Sequence, residues 1–508
     1  MSISNNFPTS LDEHNIVVTR ITNRRPTLNR PKTTRKHMGS KTALAAASGT
    51  RRSIAGMIFA MALIESLSGV TQGYLNPILP ALGPVFDIDD PTINGIFLIS
   101  NVSFAVLTPI ISRLGDSYGY RLVLRWSTGV VTLGVLQMAL WPSLWTVTIG
   151  VVMLTCVVGF IPLMMGILRV SSPGHTRTGV SVMIGMLMIM VGAGGLFAGI
   201  VGVTSPTLGF WVAVPFAVVA FISSFLLPDA GVPTREGIAL GPLLACSLGL
   251  IGFVVALSMA PEWGWLDART LVAGLLGVSL LAYWAKSDFS ATQGKRFMDL
   301  RMLAIPRIRS ISLATFFFGF ASISYFGTNG IFLHSNPDKT GYGFALSPLM
   351  IAIVLALASV LSLVSSLLTA RVLRKFGERA TLVFAGLLLA CGFLVMILAH
   401  GTLSGYCLGF AMFNLSLGMY QAGTRSLSVE GVPLAETSTA AGLNELALSV
   451  GIAVGAAVVK LISSASVESG RITEAGLLSI WGALAVAALI AAAASARYPK
   501  RENAEVSA

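Results

Sequence analysis

Two carboxylates, those of Glu65 and Glu445, lie inside long apolar stretches of the sequence. An ionisable residue in the middle of a membrane helix costs at least about 2.5–3.5 kcal/mol and marks a functional site by default. A carboxylate there can bind and release a proton, and it can bind a cation. Glu65 and Glu445 are therefore candidate proton-coupling residues. For each, the alternative is a structural role in packing against or hydrogen-bonding to a neighbouring helix.

Polar residues at helical spacing accompany these acids. Ser68, Gln72 and Asn76 follow Glu65 along one face of a predicted helix, before Pro77 and Pro80 break its end. Two further stripes are Ser322, Tyr325 and Asn329 (i, i+3, i+7), and Asn414, Gly418, Gln421 and Arg425 (i, i+4, i+7, i+11). Each stripe can line a polar path. Arg425 could instead be a charge at the cytoplasmic end of its helix, and Lys460 is expected to reach the membrane interface.

The composition indicates that these helices lie in a membrane and not in water. The chain has 508 residues, of which 54% are hydrophobic and only 11% are charged, whereas soluble proteins carry roughly 25% charged residues. The sequence therefore predicts an all-α polytopic membrane protein. The four cysteines stand singly in apolar segments, without disulfide or zinc spacing, and are expected to be small buried hydrophobes.

Successive apolar segments are long enough to cross about 30 Å of hydrocarbon. Fourteen spans are predicted, at residues 53–75, 92–112, 121–141, 144–168, 179–203, 208–227, 238–260, 268–286, 309–333, 346–370, 379–399, 404–426, 437–463 and 476–496. With both termini on one side, 30 of the 34 Lys and Arg residues fall in the tails and loops of that side. The positive-inside rule then places both termini in the cytoplasm. We expect a multi-pass protein of the plasma (inner) membrane.

The basic N-terminal tail, residues 1–52, contributes +8 of the formal charge of +12. It lacks apolar periodicity and is predicted to be disordered, and Met38 is an alternative start. Anionic lipid headgroups are the expected partner, in preference to nucleic acid.

Two charged turns contain related residues. The stretch "SRLGDSYGYRLVL" (112–124) and the stretch "ARVLRKFGERATL" (370–382) share their spacing at an offset of 258 residues. Arg113, Gly119 and Arg121 correspond to Arg371, Gly377 and Arg379. The match predicts an internal duplication with a substrate site between two halves. Arg113 and Arg121 can pair with Asp116, which gives a conformational clamp; a solvated loop is the alternative.

The first of these turns resembles the loop signature G-x-L-x-D-x-x-G-x-R/K of the major facilitator superfamily. Ser112 stands at the first Gly, followed by Asp116, Gly119 and Arg121 at the other positions. Fourteen spans, "EWGW" at Glu262–Trp265 and "AVPFAVV" at Ala213–Val219 are similar to the fourteen-helix drug:proton antiporters. The resemblance covers about residues 53–497.

This resemblance implies a domain plan for the whole chain. The expected parts are a tail (1–52), a six-helix bundle (53–229), two extra helices (230–290), a second six-helix bundle (291–497) and a C-terminal tail (498–508). Spans 1, 4, 9 and 12 would line the cavity. Related antiporters carry a carboxylate in helix 1 that binds substrate and protons, and Glu65 suits that role.

The sequence also departs from the family pattern. The helix 1 Asp of the family falls on Thr71 or Gly73, and the helix 4 Arg falls on Thr155, a cavity position. Both members of a charged pair are thus expected to be absent together, which avoids a lone buried charge. The helix 5 signature G-P-x-x-G-G is degenerate, "GGLFAG" at Gly194–Gly199.

The expected function is proton-coupled efflux of a lipophilic organic compound by alternating access. No Walker A pattern indicates ATP as the energy source, and no His-rich or metal-ligand spacing indicates an enzyme, a metal or a cofactor. Alternatives are export of a lipid or cell-envelope precursor, and a substrate sensor without transport. We expect a monomer.

Overall fold

The computed structural model describes residues 38–87, 90–202, 205–230, 239–291, 297–322, 328–430, 432–468 and 471–499. Its two compact units are Met1–Arg52 and Ser53–Ala508. In the first unit, the predicted disorder does not extend over Met38–Arg52, whose backbone is helical; residues 1–37 lie outside the described residues. The Ala-rich sequence "KTALAAASG" favours helix there, since Ala has the highest helix propensity.

Helices account for nearly all of the described chain. The first half and the extra pair contain α1 (Met38–Ala81), α2 (Gly83–Phe86), α3 (Asp90–Tyr118), α4 (Tyr120–Leu140), α5 (Leu144–Leu154), α6 (Phe160–Ser171), α7 (Thr176–Gly202), α8 (Val214–Leu226), α9 (Leu240–Trp263) and α10 (Ala268–Ser290). The remainder contains α11 (Pro306–Ser322), α12 (Thr328–His334), α13 (Pro337–Thr340), α14 (Pro348–Phe376), α15 (Glu378–Ala399), α16 (Leu403–Ser428), α17 (Thr437–Ala465) and α18 (Glu474–Ala496), with a two-stranded ribbon of β1 (Val467–Glu468) and β2 (Arg471–Ile472).

Twelve helical segments in the described ranges are long and apolar enough to cross a membrane. They match twelve of the fourteen predicted spans. The other two predictions fall on α16 and on α11 with α12. Helix α16 has 26 residues, enough to cross about 30 Å, but its polar stripe lowers its hydropathy. Residues 323–327, between α11 and α12, lie outside the described residues.

The two related turns have the same backbone conformation. Gly119 has φ of 101° and Gly377 has φ of 85°, and each immediately precedes a helix. Glycine takes positive φ without the steric penalty that a Cβ atom brings. We call the end of the bundle at which these two turns lie the Gly119 end.

The two halves pack against each other mainly through α3 with α17 and α7 with α14, and also through α7 with α16 and α6 with α17. A continuous apolar core runs through both halves and includes Met164 of α6 and Phe393 of α15. Within the second half, α14 and α16 approach so closely at Gly418 that a Cβ atom there would collide with the carbonyl oxygen of Ser362. Close helix packing of this kind depends on small residues.

Replacing Gly418 by alanine should therefore destabilise the protein. Overpacking costs typically 1–3 kcal/mol, so Gly418→Ala should lower the melting temperature in detergent. Gly482→Ala in α18 is the control, because a Cβ atom there meets no other atom within 4 Å and alanine favours the helix by about 1 kcal/mol. Equal melting temperatures for Gly418→Ala and the wild type would contradict this contact.

Candidate functional site

A cavity of about 720 Å³ lies between the two halves. Helices α1, α3, α5, α6 and α7 of the first half line it, together with α11, α16 and α17 of the second half and the extra helix α9. Most of its wall is apolar, for example Leu75, Phe97 and Ile161. Its charged lining residues in the described chain are Glu65, Arg425 and Glu445. The cavity thus combines an apolar wall with a small charged cluster, as ligand pockets commonly do.

Arg425 and Glu445 form a buried bidentate ion pair. The Arg425 Nε donates to Glu445 Oε1 at 2.6 Å, and a terminal nitrogen of Arg425 donates to Oε2 at 2.8 Å. Both side chains are buried, and Arg425 also donates to the amide oxygen of Gln421. Bidentate pairing fixes both orientation and charge balance. Arg425 is therefore a buried partner of Glu445 and not an exposed charge at a helix end.

Glu65 differs from Glu445 in its surroundings. Its side chain is fully buried in α1, and neither carboxylate oxygen has a hydrogen-bond partner within 3.5 Å among the described residues; the Ser68 hydroxyl, one turn along, acts on it only as a weaker donor. Arg425 and Glu445 lie near enough to act on it electrostatically. An uncompensated buried carboxylate is expensive, so this group favours a proton or a cation as its partner.

Several other residues that the sequence predicts in the cavity do line it. Gln72, Thr155, Ser322 and Gln421 all line the cavity. Gln72 donates to the Ser68 hydroxyl at 3.0 Å, one helical turn closer to Glu65. The polar faces of α1 and α16 thus meet the same space.

Two predicted cavity residues are placed elsewhere. Asn414 is buried against α14, where its Oδ1 accepts from Ser362 Oγ at 3.2 Å and its Nδ2 donates to the Phe410 carbonyl. Asn329, in α12, is buried but is not part of the cavity lining. The Tyr325 residue and the Asn76 side chain lie outside the described residues.

Sequence reasoning missed part of the lining. Ser100 and Asn101 of α3, Ser258 of α9 and Ser449 of α17 border the cavity. No ionisable group marks these positions. In α17, however, Ser449 lies one turn after Glu445, so the helical period alone could have identified it.

At the Gly119 end, Asp116 ties α3 to the start of α17. Its carboxylate accepts from the backbone nitrogens of Ser438 at 3.2 Å and Thr439 at 2.8 Å, and from the Thr439 hydroxyl. The first amides of a helix have no partner inside the helix and carry partial positive charge. Asp116 satisfies two of them across the boundary between the halves.

A second tie involves the start of α7. Arg177 forms an ion pair with Glu430 at 2.7 Å and another with Glu378, which begins α15. Arg169, at the end of α6, donates to the Val432 carbonyl at 2.7 Å. These partners cannot be recognised in the sequence, because more than 200 residues separate Arg177 from each acid.

The arginines of the predicted clamp have different environments. Arg121 pairs with Asp229 at 2.8 Å and donates to the Phe225 carbonyl. The pairing of Arg113 and Arg121 with Asp116 stays a prediction. Arg113 is buried, whereas Arg371 and Arg379 are exposed. The two turns thus share their backbone geometry at the glycines, whereas their arginines differ in burial.

Removing Arg425 should destabilise the protein, because it leaves Glu445 as an unpaired buried charge. Breaking such a pair costs about 3–5 kcal/mol, so Arg425→Met should lower the melting temperature strongly. Adding Glu445→Gln should recover part of the loss. The control is Arg371→Met, an exposed arginine, with an effect within about 0.5 kcal/mol. If the double variant is no more stable than Arg425→Met, the pair is not the source of the effect.

Known proteins are similar to this chain in sequence. Lincomycin resistance protein LmrB of Listeria monocytogenes is 26% identical over 437 residues, which are 83% of this chain and 89% of that protein. Multidrug efflux pump LfrA of Mycolicibacterium smegmatis is 27% identical over 298 residues (56% and 57%). The tetracenomycin C resistance and export protein of Streptomyces glaucescens is 25% identical over 312 residues (60% and 56%).

Solved structures share the fold. The human organic anion transporter MFSD10 superposes with a TM-score of 0.61 at 16% identity, covering 87% of this chain and 99% of that one. The proton:xylose symporter XylE gives a TM-score of 0.57 at 14% identity, covering 86% and 95%. The sequence itself matches the family profile described as Major Facilitator Superfamily over residues 61–456. Since this match spans most of the chain, the protein belongs to the Major Facilitator Superfamily.

Proposed function

We propose that the protein is a secondary active transporter that exports a lipophilic organic compound in exchange for protons. The observation that carries this proposal is the buried, unpartnered carboxylate of Glu65 in a cavity shared by both halves. The names of the relatives, which concern lincomycin resistance, tetracenomycin C export and multidrug efflux, support export of organic compounds.

The cavity supports the substrate class. A volume of about 720 Å³ is within the range of about 300–1,000 Å³ typical of pockets for drug-sized ligands. Aromatic and aliphatic residues such as Phe97, Phe104 and Leu154 favour a lipophilic body. The single unpartnered acid favours a positively charged group on that body.

The ion pair supports the choice of Glu65 as the proton-coupling residue. Glu445 already has both oxygens occupied by Arg425, so a proton arriving there would break a bidentate pair. Among the described residues, Glu65 has no bidentate pair of this kind to lose when it is protonated. A proton and a cationic substrate can therefore compete for Glu65, and this competition couples their movements in opposite directions.

The ties at the Gly119 end support alternating access. Asp116 and Arg177 each join one half to a helix of the other, and all their bonds must break if the halves separate there. Positive-inside reasoning places this end, and both termini, in the cytoplasm of a cell with this protein in its plasma membrane. Anionic lipid headgroups near the basic tail and a monomeric protein complete the proposal.

Glu65→Gln should abolish accumulation driven by a pH gradient, because an amide cannot exchange a proton. The measurement is uptake of the fluorescent lipophilic cation ethidium into proteoliposomes, with and without an imposed gradient, together with ethidium-induced proton release. Glu445→Gln should only weaken transport. If Glu65→Gln still accumulates ethidium in response to the gradient, Glu65 is not the coupling residue. Binding without flux in the wild type would instead favour a sensor.

Asp116→Asn should slow transport at normal expression, since an amide is a weaker acceptor for the amides at the start of α17. A charge-assisted hydrogen bond is worth about 1.5–3 kcal/mol, which corresponds to a tenfold or larger change in the balance between conformations. The comparison is ethidium flux per reconstituted molecule, with Asp229→Asn as the control carboxylate. Wild-type flux in Asp116→Asn would remove the clamp from the mechanism.

A further inference from the structure

The extra helix α9 occupies the seam between the two halves on one flank of the cavity. It packs against α3 of the first half and against α17 of the second. We propose that α9 is a wall of the substrate cavity and that Ser258 contacts the transported compound. The identity of that compound rests on the proposed function, whereas the position of α9 beside the cavity does not depend on it.

The face of α9 changes character along its length. Near the Gly119 end, Cys246 and Leu250 belong to an apolar cluster with Leu443 and Leu446 of α17, against which Val106 of α3 also packs. This part seals the flank by burying apolar side chains from both halves.

One and two turns further along, the same face meets the cavity. Val254 and Ser258 line it, and they are one helical turn apart, as the i, i+4 period of a helix requires. Facing them, Asn101 of α3 and Ser449 of α17 line the same cavity. Hydroxyl and amide groups on three helices thus add neutral polar groups to a cavity whose charged lining residues, in the described chain, are Glu65, Arg425 and Glu445.

The next turn of this face carries an ion pair to α17. Glu262 Oε1 lies 2.8 Å from Lys460 Nζ, and each side chain is 45% exposed. The positions Val254, Ser258 and Glu262 are spaced i, i+4 and i+8, so a single face of α9 follows α17 from the apolar cluster to this pair. The charged pair links the end of α9 that is farther from the Gly119 end to α17 of the second half.

Helix α10 is not part of this wall. It packs closely against α9 at Gly252 and Gly277, and its other side exposes Leu271 and Leu275. The two extra helices therefore have different roles, α9 facing the cavity and α10 facing the lipid. The Ser258 hydroxyl on α9 fits hydroxyl or carbonyl groups of the compound, while Glu65 fits its positive charge.

The test compares single cysteines in a variant whose four native cysteines are replaced by alanine. A hydrophilic thiol reagent attacks the thiolate, which forms in water and not in lipid. Ser258→Cys should therefore react like Gln421→Cys, an established cavity position, and at least about tenfold faster than Leu248→Cys on the 52% exposed lipid face of α9. If Ser258→Cys reacts as slowly as Leu248→Cys while Gln421→Cys reacts, the proposal that α9 lines the cavity is wrong.

Ethidium then tests the contact with substrate. It should slow the labelling of Ser258→Cys and Gln421→Cys, and Ser258→Trp should weaken ethidium binding at least about tenfold while Leu248→Trp leaves it unchanged. Protection at Gln421→Cys without protection at Ser258→Cys would overturn the contact. If both cysteines are labelled and ethidium protects neither, the result counts against ethidium-type substrates and hence against the proposed function. The proposal that α9 lines the cavity would still stand.

Discussion

The bidentate pair between Arg425 and Glu445 is the interaction on which the charged part of the cavity depends. Two charges in a low-dielectric interior are tolerated only when each satisfies the other, and here both carboxylate oxygens are occupied. The pair joins neighbouring helices of one half, α16 and α17. Because it is complete, the charge left over in the cavity is the carboxylate of Glu65, on a helix of the other half. The proposed chemistry therefore lies between the halves.

Two acids near the related turns tie the halves together at the Gly119 end. Asp116 ends α3 and binds the start of α17, while Glu378 begins α15 and binds Arg177 at the start of α7. In both cases an acid beside a positive-φ glycine holds the first turn of a helix in the opposite half. The contacts are built differently, with backbone amides in one and a guanidinium in the other. Opposite halves can thus separate at this end only by giving up both sets of bonds at once.

The sequence predicts the elements of this protein better than it predicts the contacts. Apolar length and positive charge give the spans, and helical spacing places Glu65, Gln72, Gln421 and Arg425 on faces that meet in the cavity. Only part of the α16 stripe lines the cavity. One end of that face borders the cavity, and the other end, at Asn414, contacts Ser362 of α14. The helical period shows which residues share a face of α16, but it does not show which part of that face reaches the cavity.

The partners of Asp116 and Arg177 were beyond sequence reasoning for a related reason. The positions of these partner residues depend on how the two bundles pack. Each partner is a residue type that is common at helix ends. The departure from the family pattern at Thr71 and Thr155 was informative, however. Both residues line the cavity as neutral groups. The charges of the cavity are instead contributed by Glu65, Arg425 and Glu445.

The charge balance of this cluster links the proposed exchange to the fold. With Glu445 and Arg425 cancelling, the net charge of the lining residues is −1 when Glu65 is ionised and zero when it is protonated. A cavity closed at both ends is cut off from water, where an uncompensated charge is costly. On the proposed mechanism, the cavity closes readily with a proton or with a monovalent cationic compound on Glu65, and reluctantly when empty. Exchange then follows from the cost of burying one unpaired carboxylate, because neither load can leave without the other replacing it.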